Sequence, residues 1–227
     1  MTVRRKIITG LLVTALCCGT AMAAPGDIYL SVNAMNVDGT DQTNDINSTL
    51  DAQGLNARIT GYDDTRHGWS INGYWQMAPR WGVEAGYVDL GNVNMKFQGV
   101  TADVDSFIAS VSDLHPATAN GATLALVGQH AFARRFTLQL KGGVFFWRSD
   151  YDLSGGTVIR HVNKYGTGGT YGIQLATRVA RRFQAGLGVQ MYTVEGQRNR
   201  TVNLGLTYRF PGLGASWWEK VRGLWTE

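Results

Sequence analysis

The sequence predicts an all-β protein, an eight-stranded antiparallel up-and-down transmembrane β-barrel followed by a short C-terminal amphipathic helix. Three observations predict it. Residues Asn203 to Phe210 alternate polar and apolar side chains, so that in a strand Leu204, Leu206, Tyr208 and Phe210 share one face and Asn203, Gly205, Thr207 and Arg209 the other. Past the N-terminal segment there is no long apolar run, while 29 glycines, 24 aromatic residues (7 Trp, 9 Tyr, 8 Phe) and only 4 prolines favour strands over spanning helices. A short Ala/Arg link also recurs three times between alternating segments, as Met77-Ala78-Pro79-Arg80-Trp81, Phe132-Ala133-Arg134-Arg135-Phe136 and Val179-Ala180-Arg181-Arg182-Phe183. A barrel in lipid needs this design, with an apolar outside, a polar inside, and tight turns at one end ringed by aromatics.

Residues 1–23 read as an export signal. Arg4, Arg5 and Lys6 form a basic start, Ile7 to Leu16 a short apolar run, and Ala21-Met22-Ala23 a small-residue cleavage site. The run is shorter than the roughly 20 residues a spanning helix requires. Cleavage after Ala23 would remove Cys17 and Cys18, the only cysteines, and with them any disulfide, thiol chemistry or cysteine metal site. Leu16 and Cys17 stand where a lipoprotein signal carries a small residue before its cysteine, which argues against lipidation. Loss of three basic residues also leaves 18 Lys and Arg of the original 21 against 17 Asp and Glu, so charge gives no case for nucleic-acid binding.

The barrel is expected over residues 24–210. Its strands are read as 27–37, 69–77, 81–90, 121–132, 136–147, 170–179, 183–194 and 201–210. In the second, Trp69, Ile71, Gly73, Trp75 and Met77 face one way and Ser70, Asn72, Tyr74 and Gln76 the other; in the fifth, Phe136, Leu138, Leu140, Val144 and Phe146 oppose Thr137, Gln139 and Lys141. Long polar links are expected at about 38–68, 91–120 and 148–169, with a shorter fourth at 195–200. An even strand count places both chain ends on the short-turn side, which is expected to be the periplasm.

Two segments carry a resemblance. Trp81-Gly82-Val83-Glu84-Ala85-Gly86-Tyr87-Val88-Asp89-Leu90-Gly91 resembles the third-strand segment of the OmpA-like transmembrane domain family. The terminal octet resembles the assembly signal of bacterial outer-membrane barrels, polar-x-Gly-x-x-aromatic-x-aromatic, with Asn203, Gly205, Tyr208 and Phe210 in the defined places. The resemblance covers about residues 25–210. It implies a bacterial outer-membrane location reached by Sec export, dealings with periplasmic chaperones and the barrel-assembly machinery, and a lumen plugged by carboxylate and basic side chains. A peptidoglycan-binding domain, as follows the barrel in full-length OmpA, is not expected in the 17 residues after Phe210.

Candidate site residues follow from the faces. Glu84, Lys141 and Arg178 fall on inward faces, where an unpaired charge is costly, so they are expected to form a lumenal ionic network. Trp69, Trp75, Trp81, Phe136, Phe183, Trp217, Trp218 and Trp225 are expected at the membrane boundaries. No catalytic site is expected: a lipid deacylase would need a serine and a histidine on one strand face, and His67 and Ser70, three apart, point oppositely. His115 and His161 fall in expected loops, and His130 on an outward face. Asp38, Asp41, Asp45 and Asp51 read as a solvated flexible loop without EF-hand spacing, and no metal or cofactor is expected. Residues 91–120 are too apolar for a free loop, which suggests extended strands or a partner-binding surface.

The tail, 211–227, opens with Ser216-Trp217-Trp218-Glu219 as a capping box. A helix from there would put Trp217, Trp218, Val221, Leu224 and Trp225 on one side, suited to lying in the membrane interface. The expectation overall is a monomeric integral outer-membrane protein contributing envelope integrity, in contact with outer-membrane lipids and lipopolysaccharide. A narrow channel for small or hydrophobic solutes and a surface adhesin are the alternatives.

Overall fold

The computed structural model describes residues 25–38, 43–54, 57–62, 65–92, 95–99, 119–133, 135–155 and 158–214. The expected export signal, and the tail beyond Gly214 with Trp217, Trp218 and Trp225, lie outside these residues. Among the described residues, ten strands and one helix occur in the order β1 (Ile28–Asp38), α1 (Thr43–Ala52), β2 (Ala57–Tyr62), β3 (Thr65–Ala78), β4 (Trp81–Asp89), β5 (Met95–Gly99), β6 (Asn120–Phe132), β7 (Phe136–Gly155), β8 (Val158–Arg178), β9 (Phe183–Val194) and β10 (Gln197–Phe210). Eight of them close a barrel in the cyclic order β1-β10-β9-β8-β7-β6-β4-β3, every neighbour antiparallel. Closure pairs β1 with β10 along its whole length, from Ile28 opposite Phe210 to Asp38 opposite Arg200, so no edge is left at the seam.

The period-2 pattern is realised as an inside-out protein. Leu126, Leu204, Leu187 and Leu140 stand 57–65 % exposed on the outer wall, while Ser31, Asn33, Ser70, Asn72 and Gln190 on the alternate positions are buried. Unshielded leucines on this scale fit a hydrocarbon solvent, where backbone groups must all be paired within the wall. Aromatics mark both borders. Trp69 and Tyr87 lie 5.7 Å apart toward the long loops, and Phe132 stacks on Phe136 at 5.9 Å at the short turns. There too, Tyr208 packs edge-on against both Phe183 and Phe210, at 5.0 and 4.6 Å.

The long-loop end departs from the sequence expectation in three places. Residues 148–169 are largely strand, because β7 and β8 continue as a ribbon paired to Gly155 opposite Val158, well past the last partners of β6 (Asn120 with Arg148) and β9 (Tyr192 with Thr170). Beyond the barrel rim a ribbon has no lipid and lumen sides to impose alternation on its sequence. The expected 195–200 link is instead a two-residue turn: Glu195 (φ 51) and Gly196 (φ 81) both take left-handed conformations, the type I′ geometry that matches strand twist. Glutamate is an uncommon residue for that first position, which hides the turn from a sequence reading.

The third departure is the acidic stretch 38–51, read as a flexible loop. Thr43–Ala52 forms α1, whose Leu50 is fully buried and whose Asn47 Oδ1 accepts from the Ile59 amide of β2 at 2.8 Å. β2 in turn pairs with β5, so the apolar residues of 91–120 partly serve a small sheet joining two loops. The helix was obscured by its short polar composition, which owes its order to packing on β2 rather than to propensity. The expected amphipathic tail helix finds no support in the described residues: Pro211–Gly214 is a turn.

Candidate functional site

The barrel interior is the candidate site, and its side chains form three layers. The middle layer is polar. Lys141 on β7 reaches over β6 to Glu84 on β4, its Nζ 2.9 and 2.7 Å from the two carboxylate oxygens, and both side chains are buried (7 % and 9 % exposed). Inward placement follows from strand parity, and the paired charges satisfy each other where either alone would be expensive. Around them Asn33 Nδ2 donates to Ser70 Oγ at 3.0 Å, Asn72 Nδ2 to the same oxygen at 3.2 Å, and Gln190 Nε2 to Thr170 Oγ1 at 2.9 Å. Gly205 has no side chain because the Asn33 amide lies over it: a Cβ there would overlap Asn33 Oδ1. The glycine of the terminal octet thus has a packing cause inside the barrel.

Toward the long loops the lumen turns apolar. Met35 and Val37 of β1, Val88 of β4, Leu90 just after it, Ala119 just before β6, Phe145 and Trp147 of β7, and Tyr192 and Val194 of β9 form one cluster, none more than 7 % exposed. Phe145 and Tyr192 meet edge to face with ring centroids 5.3 Å apart. Removing one such side chain from water contributes roughly 1.5–3 kcal/mol, so this layer stabilises the barrel. Beside it Arg66 Nη2 donates to Asn199 Oδ1 at 2.6 Å, joining β3 to β10 over β1.

The short-turn layer is mixed. Tyr29, Tyr74 and Val127 pack together, with the tyrosine rings 5.6 Å apart. Tyr74 Oη donates to Gln76 Oε1 at 3.1 Å, the same oxygen that Gln129 Nε2 contacts from β6. Below them Asp27, 2 % exposed, ties the start of β1 to the end of β10. Its Oδ2 accepts from Arg209 Nε and Nη2 at 2.9 and 2.6 Å, and its Oδ1 accepts from the Gly212 amide at 2.9 Å. Gly212 (φ 68) turns the chain, and Gly214 donates to Gly26 O at 2.7 Å.

Of the expected ionic network, the structure brings together Glu84 and Lys141 and leaves Arg178 apart. Arg178 is exposed at the end of β8, where its amide donates to Arg135 O, and it makes no ion pair among the described residues. Inward parity at the last residue of a strand no longer means burial, because the barrel ends there. Trp69, Trp81, Phe136 and Phe183 are 40–47 % exposed on the outer wall, whereas Trp75 is half-buried beside Gly214. Asn203 points inward, Gly205 is buried, and Tyr208 and Phe210 join the aromatic cluster at the rim.

Sequence reasoning missed the apolar layer and the Asp27 clamp. Val37, Val88, Phe145, Tyr192 and Val194 lie on the face expected to be polar, and their signal was the failure of alternation near the strand ends. His67 is exposed, His130 is half-buried and outward, and His161 Nδ1 lies 2.7 Å from Asp152 Oδ1 on the exposed ribbon. Among the described residues no group of His, Cys, Asp and Glu is arranged to hold a metal ion.

Comparison with known proteins agrees with this architecture. Comparison with curated proteins found no match. Among solved structures, OprG from Pseudomonas aeruginosa is similar at 12 % identity and a TM-score of 0.55, over 85 % of this chain and 100 % of that one. Similarity is also found to the N-terminal β-barrel of Pseudomonas aeruginosa OprF (10 % identity, 82 % and 98 % covered, TM-score 0.48) and to the attachment invasion locus protein Ail of Yersinia pestis (14 %, 82 % and 100 %, 0.47). The family profile of the OmpA-like transmembrane domain matches residues 24–213. The chain therefore belongs to the OmpA-like transmembrane domain family and is a bacterial outer-membrane β-barrel.

Proposed function

We propose that this barrel is a sealed scaffold of the outer membrane that contributes to envelope integrity and presents ordered loops at the cell surface. The observation that carries the reading is a cluster of inward apolar side chains no more than 7 % exposed toward the long loops, beside the buried Glu84–Lys141 pair. An eight-stranded barrel is barely wide enough for its own side chains, and a dry apolar constriction opposes ion passage in addition to the Glu84–Lys141 pair. Export by the Sec route, passage along periplasmic chaperones, and capture of the Asn203–Phe210 octet by the assembly machinery would place both ends and the three short turns in the periplasm. The long-loop wall would then meet lipopolysaccharide. Planar-bilayer recording of refolded protein tests the seal: silent membranes are expected, and steady wild-type channels would sink it.

A second reading, surface attachment, is favoured by one observation. Two loops are knitted into α1 and the β2–β5 sheet, more order than a mere spacer needs. Deleting 43–62 while the barrel still folds, then measuring cell attachment, discriminates the two; unchanged attachment counts against the adhesin.

A further inference from the structure

The short-turn end carries a ring of arginines that the seal does not use. Arg80, Arg135, Arg178, Arg181 and Arg182 are all exposed, and among the described residues none of the five has a carboxylate partner. Asp27 is the carboxylate at this end among those residues, and it is buried and occupied by Arg209. Charge of one sign at each short turn is thus left uncompensated among the described residues.

The depth of these arginines selects a partner. Arg80 precedes Trp81, Arg135 precedes Phe136 and Arg182 precedes Phe183, and each of those aromatics stands 40–46 % exposed on the outer wall. Aromatic belts sit where hydrocarbon gives way to headgroups, so a guanidinium one residue further out lies at the level of lipid phosphates. Arg182 is held there, its Nη1 donating to Tyr208 Oη at 3.0 Å, within the cluster of Phe183, Tyr208 and Phe210. A guanidinium matches a phosphate geometrically, through two parallel N–H donors.

We propose that the Arg80, Arg135, Arg181 and Arg182 ring is a binding surface for anionic phospholipid headgroups, which collects phosphatidylglycerol-type lipids around the barrel. The leaflet concerned is the inner one, an assignment that rests on the orientation given under the proposed function. An acidic cell-wall polymer is the competing occupant, and the interfacial depth of the ring disfavours it, since such a polymer would meet arginines set beyond the membrane surface rather than beside an aromatic belt.

The test reconstitutes the full chain in phosphatidylcholine vesicles containing a minor fraction of spin-labelled phosphatidylglycerol or spin-labelled phosphatidylcholine, and measures the lipid held at the protein boundary. Wild type is expected to prefer the anionic probe about fivefold, with the preference fading toward parity as salt rises. Arg80→Gln, Arg135→Gln, Arg181→Gln and Arg182→Gln combined should approach parity, and the same four changed to Lys, which keep the charge but lose the paired donors, should retain a reduced preference. All four positions are exposed, and heat-modifiable gel migration checks that the variants fold. If the Gln variant does not fold, the salt response of wild type and the Lys variant still decide. No preference in wild type, a salt-insensitive preference, or one that survives in the folded Gln variant would overturn the proposal. So would arginine-dependent binding to purified peptidoglycan without lipid preference. Labelling of Ala180→Cys in intact cells would overturn the inner-leaflet assignment and the orientation beneath it, whereas the vesicle preference measures the headgroup class whichever way the barrel faces.

Discussion

The outer and middle layers of the lumen occupy the same eight-stranded wall, yet they solve opposite problems. The outer layer, built on Phe145, Trp147, Tyr192 and Val194, packs apolar side chains together and gains stability from each one it buries. The middle layer, built on Glu84 and Lys141, brings two charges into a dry interior and breaks even only while both are present and in contact. An apolar layer degrades gradually when trimmed, whereas a paired polar layer fails abruptly when one member is lost. The difference teaches that loss of buried apolar volume and loss of a buried charge partner are separable perturbations of this lumen.

Lys141→Ala should have the largest effect, because it leaves Glu84 buried and unpaired. The expected loss is about 3–5 kcal/mol in urea unfolding from lipid vesicles. Replacing both partners together, Glu84→Gln with Lys141→Met, should cost far less than Lys141→Ala alone. If the double variant is as unstable as the single one, the middle layer is held by shape rather than by charge, and the contrast with the outer layer dissolves.

Next comes Asp27→Asn at the short-turn end, a third case between the two. The amide can still accept from Gly212 but forfeits the charged contact with Arg209. About 2 kcal/mol should be lost. Protease cleavage of the chain after Phe210 should also accelerate, because the turn at Gly212 and the Gly214–Gly26 bond depend on that clamp. Unchanged cleavage would mean the tail is pinned by other contacts.

Phe145→Leu should cost less, about 1–2 kcal/mol, since most of the buried area is kept and only the edge contact with Tyr192 and some volume are lost. Its sharper consequence is on the seal. If the apolar layer is the barrier, Phe145→Leu should raise the frequency of brief conductance events while the double change at Glu84 and Lys141 leaves bilayers quiet. The reverse result would move the barrier to the ionic pair.

The sequence made the wall legible and the interior only in part. Period-2 alternation located all eight strands because lipid and lumen impose opposite chemistries on successive residues, as at Leu204, Gly205 and Leu206. Glu84 and Lys141 could be singled out because an inward charge is rare and demands a partner. That Arg178 would stand aside depended on where the barrel ends, which parity does not encode. Val37, Phe145 and Val194 broke the alternation and were passed over, because an apolar lumen violates the rule that made the strands visible. The Asp27 clamp joins residues 182 apart in sequence to Arg209, a closure no local pattern contains.

The smallest expected effect lies at the boundary of the outer layer and bounds the comparison from its exposed side. Lys164 Nζ sits 3.4 Å from Glu195 Oε1, with side chains 25 % and 27 % exposed, tying the tall β7–β8 ribbon to the low β9–β10 turn. Water reaches both groups, so screening and side-chain entropy offset most of the attraction, and Glu195→Gln should change stability by less than about 1 kcal/mol. Glu195 also holds a left-handed conformation (φ 51), for which glycine is better suited. Glu195→Gly should therefore be neutral or slightly stabilising despite losing the ion pair, as read from the urea midpoint in lipid vesicles. A loss above about 2 kcal/mol for either change would show the pair to be as dry as Glu84 and Lys141, and would extend the abrupt failure of the middle layer to the rim.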